Sequence, residues 1–286
     1  MRTGKAVLAV MVALSGVASF ASTPASAGEI APLVRTGGPQ CGDSDFAGEN
    51  VGAAVDALVD NARKELSLAR SGVEDEHFQN AVSNLECAIR LDPDNSSLRF
   101  ELGQAYRQAE QFTTALVQYD RAIEIDDQVV DYWVARGLML AGLERRDEAM
   151  SSFDRAVEID PSDASGYAAR GMQLTIDGAF GDALIELNKA NYFRPNTPLI
   201  LYFRATSRFA TFDFEGAISD YTEVIEMGPA ADVQYYKSSL SGRGNILWGL
   251  DRHELALKDY RRYLEFVPDD KRVKARVEEL ERKLGD

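Results

Sequence analysis

The stretch Ala149-Met150-Ser151-Ser152-Phe153-Asp154-Arg155-Ala156-Val157 places apolar residues at i, i+1, i+4, i+7 and i+8. That spacing gathers them on one stripe of an amphipathic helix. The same stripe returns over residues 115–123 and 217–225. Working outward from Ala149, alanine recurs at Ala81, Ala115, Ala183 and Ala217, always 34 residues apart, and then at Ala256 after 39. Proline keeps the step at Pro93, Pro161, Pro195, Pro229 and Pro268, with Asp127 in the one slot without it. A small residue marks each unit at Ala69, Gly103, Gly137, Gly171, Ala205 and Gly244. A large residue does the same at Leu85, Tyr119, Phe153, Leu187, Tyr221 and Tyr260. Four columns in phase across six units define an internal repeat, and a period of this length builds arrays of stacked supersecondary units.

Packing chemistry explains the columns. Within a unit the small residue, and the alanine twelve positions after it, let two antiparallel helices approach closely. Turn residues such as Ala141-Gly142-Leu143 and Asp177-Gly178 separate the two helices. Asp160-Pro161 and Arg194-Pro195 end the second helix, because proline disfavours helical geometry in the residue before it. No run alternates with period two over strand length, so the expected class is all-α. Asn50 reads as the N-cap of a helix over about Val51 to Arg70. Residues 28–48, with Pro32, Gly37, Gly38, Pro39 and Gly42, carry loop chemistry and are expected to be flexible.

The pattern Trp133…Gly137…Leu140…Ala149…Phe153…Ala156…Pro161 resembles the tetratricopeptide repeat, and the likeness runs over about residues 62–270. It implies a right-handed α-solenoid of about six helix-turn-helix units, at 62–95, 96–129, 130–163, 164–197, 198–231 and 237–270. The solenoid as a whole is expected over 49–286. The first unit is degenerate where Glu65 and Gly72 replace large apolar residues. Asp232 to Tyr236 are an insertion expected to lengthen a turn or helix. Val273, Val277, Leu280 and Leu284 form a narrow stripe on a charged helix, suited to a solvating cap over 271–284.

The resemblance also implies a concave groove lined by the first helix of each unit. Its groove positions fall on Phe100, Gln104 and Arg107 in the second unit, and on Leu138, Met172 and Ile176 in the third and fourth. In the fifth and sixth they fall on Tyr202, Phe203, Phe209, Asn245 and Trp248. Met and aromatic residues there suit a peptide or helix with apolar anchors. The Lys and Asn residues with which some members of the family grip a chaperone's terminal carboxylates are not at these sites. Arg136, Arg170, Arg204 and Arg243 form a further column. They either bind a partner's carboxylates or, the favoured reading, pair internally with Glu186, Asp220 and Asp259.

Residues 1–27 read as a secretory signal peptide. Arg2 and Lys5 precede an uncharged run from Ala6 to Ala21, and Ala25-Ser26-Ala27 is an A-x-A-like cleavage site. The apolar run is shorter than the ~20 residues that span a bilayer, and no later stretch approaches that length, so no integral span is expected after cleavage. Removing Arg2 and Lys5 leaves 29 basic and 46 acidic residues in a chain that starts with 31 and 46. Such acidity disfavours nucleic acid, whose phosphates need clustered Lys and Arg. Export would permit a disulfide between Cys41 and Cys87; otherwise Cys87 is a small apolar filler in a helix. Two histidines offer little for a metal site: His253 falls in the column of Phe78, Phe112, Phe180 and Phe214, and His77 lies in a polar turn expected to be solvated.

No phosphate loop, nucleophile elbow or His-x-x-x-His helix is present, so no cofactor, metal or enzymatic activity is expected. The expected function is a non-catalytic scaffold that binds a protein or peptide, in the periplasm of a bacterial envelope or secreted. The second reading is a structural subunit that self-assembles into a homo-oligomer through its end faces or C-terminal helix.

Overall fold

A computed structural model describes residues 51–69 and 75–285. The expected signal peptide, the 28–48 segment, Cys41 and Gly72 lie outside the described residues. Within them the chain forms thirteen helices and no strand. They are α1 (Val51–Ala69), α2 (Asp75–Leu91), α3 (Ser96–Gln108), α4 (Phe112–Ile125), α5 (Val130–Gly142), α6 (Arg146–Ile159) and α7 (Ala164–Ile176). The rest are α8 (Phe180–Phe193), α9 (Pro198–Ala210), α10 (Phe214–Met227), α11 (Val233–Gly249), α12 (His253–Phe266) and α13 (Lys271–Gly285). The first twelve pack as six consecutive hairpins, and α13 closes the array against α12.

The repeat columns are the contacts that build each hairpin. Ala81, Ala115, Ala149, Ala183, Ala217 and Ala256 are fully buried, and the large residue of every unit is buried beside its alanine. The small residue is a steric requirement. A Cβ on Gly137 would lie 2.4 Å from Phe153 Cε1, and one on Gly103 would lie 2.5 Å from Tyr119 Cε1. Real side chains do not approach that closely, so the ring of the second helix occupies the space a first-helix side chain would need.

The second helices α6, α8, α10 and α12 each end two residues before their proline, at Ile159, Phe193, Met227 and Phe266. Between helix and proline, Asp160, Arg194 and Val267 leave helical geometry, with φ near −135° and positive ψ. Of the two turns expected on glycine, Asp177-Gly178 has its glycine in the left-handed position, whereas Ala141-Gly142-Leu143 differs in detail. Gly142 is the last residue of α5, and the left-handed residue is Glu144, two positions on. The same site is left-handed in five units: Glu110, Glu144, Gly178, Phe212 and Asp251. Only Gly178 announces that backbone through its residue type.

Asp232 caps α11, accepting hydrogen bonds from the backbone N–H of Gln234 and Tyr235 at 2.8 and 3.0 Å. The inserted residues thereby extend a first helix to 17 residues where its neighbours have 13. The cap α13 buries Val273 and Leu280. Glu278 stands on it 34 residues after Gly244, in the small-residue column, and is exposed. A charged side chain there takes the place of the close approach that every hairpin uses.

Candidate protein-binding groove

First helices of successive hairpins touch one another from α5 through α7 and α9 to α11, whereas the described second helices make no comparable contact. Packing therefore draws the first helices together on the inner face, which makes that face the candidate groove.

The arginine column is spent internally. Arg204 donates from Nε and Nη2 to the two carboxylate oxygens of Asp220 at 2.9 and 2.7 Å. Arg243 grips Asp259 in the same way at 2.8 and 2.7 Å, and also donates to Thr222 Oγ1 at 2.8 Å. Arg170 joins Glu186 of its own hairpin at 2.6 Å to Asp154 of the preceding one at 2.5 Å. Burial by itself would lower its pKa, but the hydrogen bonds and charges of these two carboxylates together outweigh burial and leave the guanidinium above its ordinary value. Arg136 reaches Ser152 Oγ in its own hairpin and Asp120 in the one before, both at 2.7 Å. Three of the four guanidiniums thus join one hairpin to the previous second helix, and all four tie together the two helices of their own.

The expected groove residues divide by environment. Arg107 is exposed and Ile176 is 62% exposed, while Gln104, Leu138, Met172 and Phe209 are half-buried along the inner face. Phe100 is half-buried against Tyr132 and Tyr119, with ring centroids at 4.9 and 5.6 Å. Trp248 lies under the Arg276 guanidinium of the cap, 5.0 Å from its ring centre. Asn245 accepts from the Tyr260 hydroxyl at 2.9 Å and also from Arg276. Tyr202 and Phe203 depart from the expectation, being only 7% exposed each. Tyr235, carried by the insertion that lengthens α11, covers them with ring centroids at 5.3 and 6.3 Å. They are core at the junction of the fifth and sixth hairpins, and Leu138, Met172, Ile176 and Phe209 remain as the apolar lining.

A pairing not read from the sequence links this lining to the core. The column Gln104, Leu138, Met172, Thr206, Asn245 sits at the hydroxyl end of the column Tyr119, Phe153, Leu187, Tyr221, Tyr260. Where the core residue is tyrosine, the lining residue is polar: Tyr260 bonds Asn245, and Tyr221 lies 3.1 Å from Thr206 Oγ1. Where the core residue is Phe153 or Leu187, the lining residue is Leu138 or Met172. The covariation is present in the sequence and shows only when the two columns are compared unit by unit.

The histidines play structural parts. His77, expected in solvent, is half-buried with Nδ1 2.5 Å from Glu65 Oε2. Glu65, one of the two residues that make the first unit degenerate, is thereby engaged across the hairpin. His253 opens α12 as Phe112, Phe180 and Phe214 open their helices. Cys87 is buried on α2, next to the Arg90 guanidinium at 3.4 Å. Among the described residues no three metal-ligating side chains gather, and no helix is long and apolar enough to cross a membrane.

Residues 66–129 and 130–163 match models of the tetratricopeptide repeat. With the hairpins on either side continuing the same columns, the fold is a tetratricopeptide repeat solenoid of about six repeats and a capping helix. Repeats of this class are typically non-catalytic scaffolds for protein partners. Among solved structures, PilF of Pseudomonas aeruginosa is similar at TM-score 0.64 and 15% identity, with 82% of this chain and 99% of that one aligned. PilW, described as a type IV pilus biogenesis factor, is similar at TM-score 0.60 and 17% identity, covering 75% of this chain and 97% of its own. The Cut9–Hcn1 assembly of the APC/C gives TM-score 0.60 at 14% identity over 84% of this chain and 50% of that one. At these identities the likeness is one of fold. No curated protein sequence matches the chain.

Proposed function

We propose that the chain is an exported, non-catalytic scaffold of the bacterial envelope that holds a protein or peptide along the inner face of its first helices. The observation that carries this reading is the row Leu138, Met172, Ile176 and Phe209. These are apolar side chains left partly or largely exposed on successive hairpins, in a chain that buries its alanine and large-residue columns. Such a row suits a partner with apolar anchors at helical or extended spacing. The arginine column does not compete for this role, because its charges are already paired.

Export rests on the Arg2/Lys5 start, the apolar run and the Ala25-Ser26-Ala27 site. The amino-terminal sequence of the protein recovered from the producing cell tests it: a start at Gly28 supports export, and an intact Met1 in a cytoplasmic fraction refutes it. In an oxidising compartment Cys41 is the partner open to Cys87. Failure of both thiols to alkylate until reductant is added supports the pairing.

Binding is tested by affinity capture from envelope extract with the double variant Met172→Glu, Phe209→Glu as comparison. Partners retained by the natural chain and lost by the variant, with helicity unchanged, support the groove. Equal capture by both places binding elsewhere, and loss of helicity makes these residues core.

A further inference from the structure

Phe212 is unfavourable twice over. Its backbone is left-handed at φ 66°, which costs free energy in any residue with a Cβ, and its ring is mostly in water. The same turn site holds Glu110, Glu144, Gly178 or Asp251 in the other hairpins with this backbone, so the fold itself does not require a ring there. A strained residue of this kind points to a function that retains it. The ring meets Phe214 at 6.1 Å, and Phe214 meets Phe209 at 5.7 Å. The hydroxyls of Thr175 and Ser207, 2.8 Å apart, hold the end of α7 beside the end of α9 and bring the exposed Ile176 alongside. Leu250 is exposed on the next turn, which Arg252 ties to Glu215 of α10 at 3.3 Å. Ile176, Phe212 and Leu250 thus form an apolar edge over the turns of the fourth, fifth and sixth hairpins, unlike the single exposed apolar residues normal on a protein surface.

The surroundings of this edge are acidic. Residues 177–182, 211–216 and 250–255 hold six acidic residues and one basic residue, Arg252, which Glu215 already engages. Asp177 takes Arg146 at 3.1 Å, and Arg208 turns to the buried Asp220 at 2.8 Å. Asp182, Asp251 and Glu254 are exposed and have no Arg or Lys partner among the described residues; Asp251 has only His253, at 3.5 Å. We propose that this turn edge docks a basic, amphipathic segment of a partner protein, with Phe212 as its anchor. Apolar side chains of that segment pack on Ile176, Phe212 and Leu250, and its Lys or Arg side chains reach Asp182, Asp251 and Glu254. The same acidic rim repels an anionic lipid surface. Ile176 is shared with the apolar lining of the inner face, but Leu138 and Met172 take no part, so the edge is a second face of the scaffold.

Neighbouring hairpins supply the test variants, because Ala210, Asp251 and Thr211 stand where Ile176, Phe212 and Leu250 stand. Each substitution therefore installs a residue that the fold already holds at that site. The full chain is titrated with the blocked peptide Lys-Lys-Leu-Phe-Lys-Lys, and with versions in which Ser-Ser replaces Leu-Phe or Glu replaces every Lys. The backbone amides of residues 176–178, 211–213 and 250–251 are followed by NMR. Saturable shifts at these amides are expected with the first peptide, with weaker binding of the Ser-Ser version and none of the acidic one. Phe212→Asp weakens binding about tenfold, as loss of a large apolar contact should, although it adds a negative charge that would by itself attract the peptide. Ile176→Ala and Leu250→Thr weaken it several-fold. Asp182→Asn, Asp251→Asn and Glu254→Gln together do the same and flatten its salt dependence.

The proposal is overturned if the Leu-Phe peptide binds no better than either control, or if Phe212→Asp leaves affinity unchanged or raises it. It is equally overturned if the shifts fall on residues 138 and 172 and not on the turns. Light scattering of the chain alone tests the other occupant: a mass that rises with concentration in the natural chain and not in Phe212→Asp gives the edge to a second copy and overturns the proposal. No natural partner enters the titration, so its failure leaves the capture experiment as an independent test of the groove.

Discussion

Arg204 and Asp220 face each other across the fifth hairpin as a bidentate pair, with the aspartate side chain 1% and the arginine side chain 11% exposed. Arg208 adds a third charged contact to the same carboxylate at 2.8 Å. Removing one partner of so buried a pair strands the other charge in a poorly solvated site, at a cost of about 3–5 kcal/mol. Asp220→Ala is therefore expected to destabilise by that amount in urea unfolding. It should exceed the loss from Asp120→Ala at the half-exposed end of the Arg136 pair, which screening keeps to about 1 kcal/mol or less. Replacing Arg204 and Asp220 together by Met and Leu should recover much of the Asp220→Ala loss.

The glycines of the hairpins separate into two kinds, and stability should follow the division. Gly137→Ala drives a methyl group to 2.4 Å from the Phe153 ring, whereas a Cβ on Gly142 meets nothing within 4 Å. Overpacking of this kind costs about 1–3 kcal/mol. Gly142→Ala, in the last turn of α5, should instead gain up to about 1 kcal/mol from helix propensity. Chemical denaturation of the two single variants checks the opposite signs.

The buried tyrosines predict how the fold fails at high pH. Burial raises the phenols of Tyr119 and Tyr235 to about 12 and pushes Tyr202, Tyr221 and Tyr260 upward as well. In the unfolded chain tyrosine titrates near 10. The folded state therefore holds these protons when the unfolded state has lost them. The stability they contribute is complete below pH about 10 and drains away as pH rises through the folded values. Tyrosinate absorbance and helical circular dichroism, followed together from pH 9 to about 12.5, should change in one concerted step for this buried set. Smooth titration of every tyrosine near pH 10 with helicity intact would contradict the packing of the core columns.

Much of the architecture was legible because the repeat makes each packing requirement visible several times over. Ala149, Gly137, Phe153 and Pro161 each belong to a column, and a column reports its own physical cause. The features that were missed belong to one unit alone or to comparisons between columns. Tyr202 and Phe203 occupy groove positions, but the insertion before α11 brings Tyr235 over them, a contact peculiar to that junction. The partners of the arginine column were harder still to complete. Glu186, Asp220 and Asp259 could be named as acids in phase, but the reach back to Asp120 and Asp154 depends on how one hairpin sits on the last. Nor does residue type reveal a left-handed turn when the position is filled by Glu, Phe or Asp in four of its five occurrences.

Phe212 is the most demanding of those turn residues, because it combines φ of 66° with a ring 63% exposed. A left-handed backbone costs a residue with a Cβ about 1–2 kcal/mol, of which glycine would recover about half after its own entropy loss. Glu144 shares the backbone, with φ of 60°, and has no ring to lose, so Glu144→Gly should read the strain alone as a gain of about 0.5–1 kcal/mol. Phe212→Gly relieves the same strain but forfeits the edge-to-face contact with Phe214 at 6.1 Å. Because that ring is mostly in water, its contact is expected to return less than the strain costs. The gain for Phe212→Gly should therefore be smaller than for Glu144→Gly and still positive. A loss of stability in Phe212→Gly would show that the aromatic contact outweighs the backbone, and thermal unfolding of the two variants side by side decides between them.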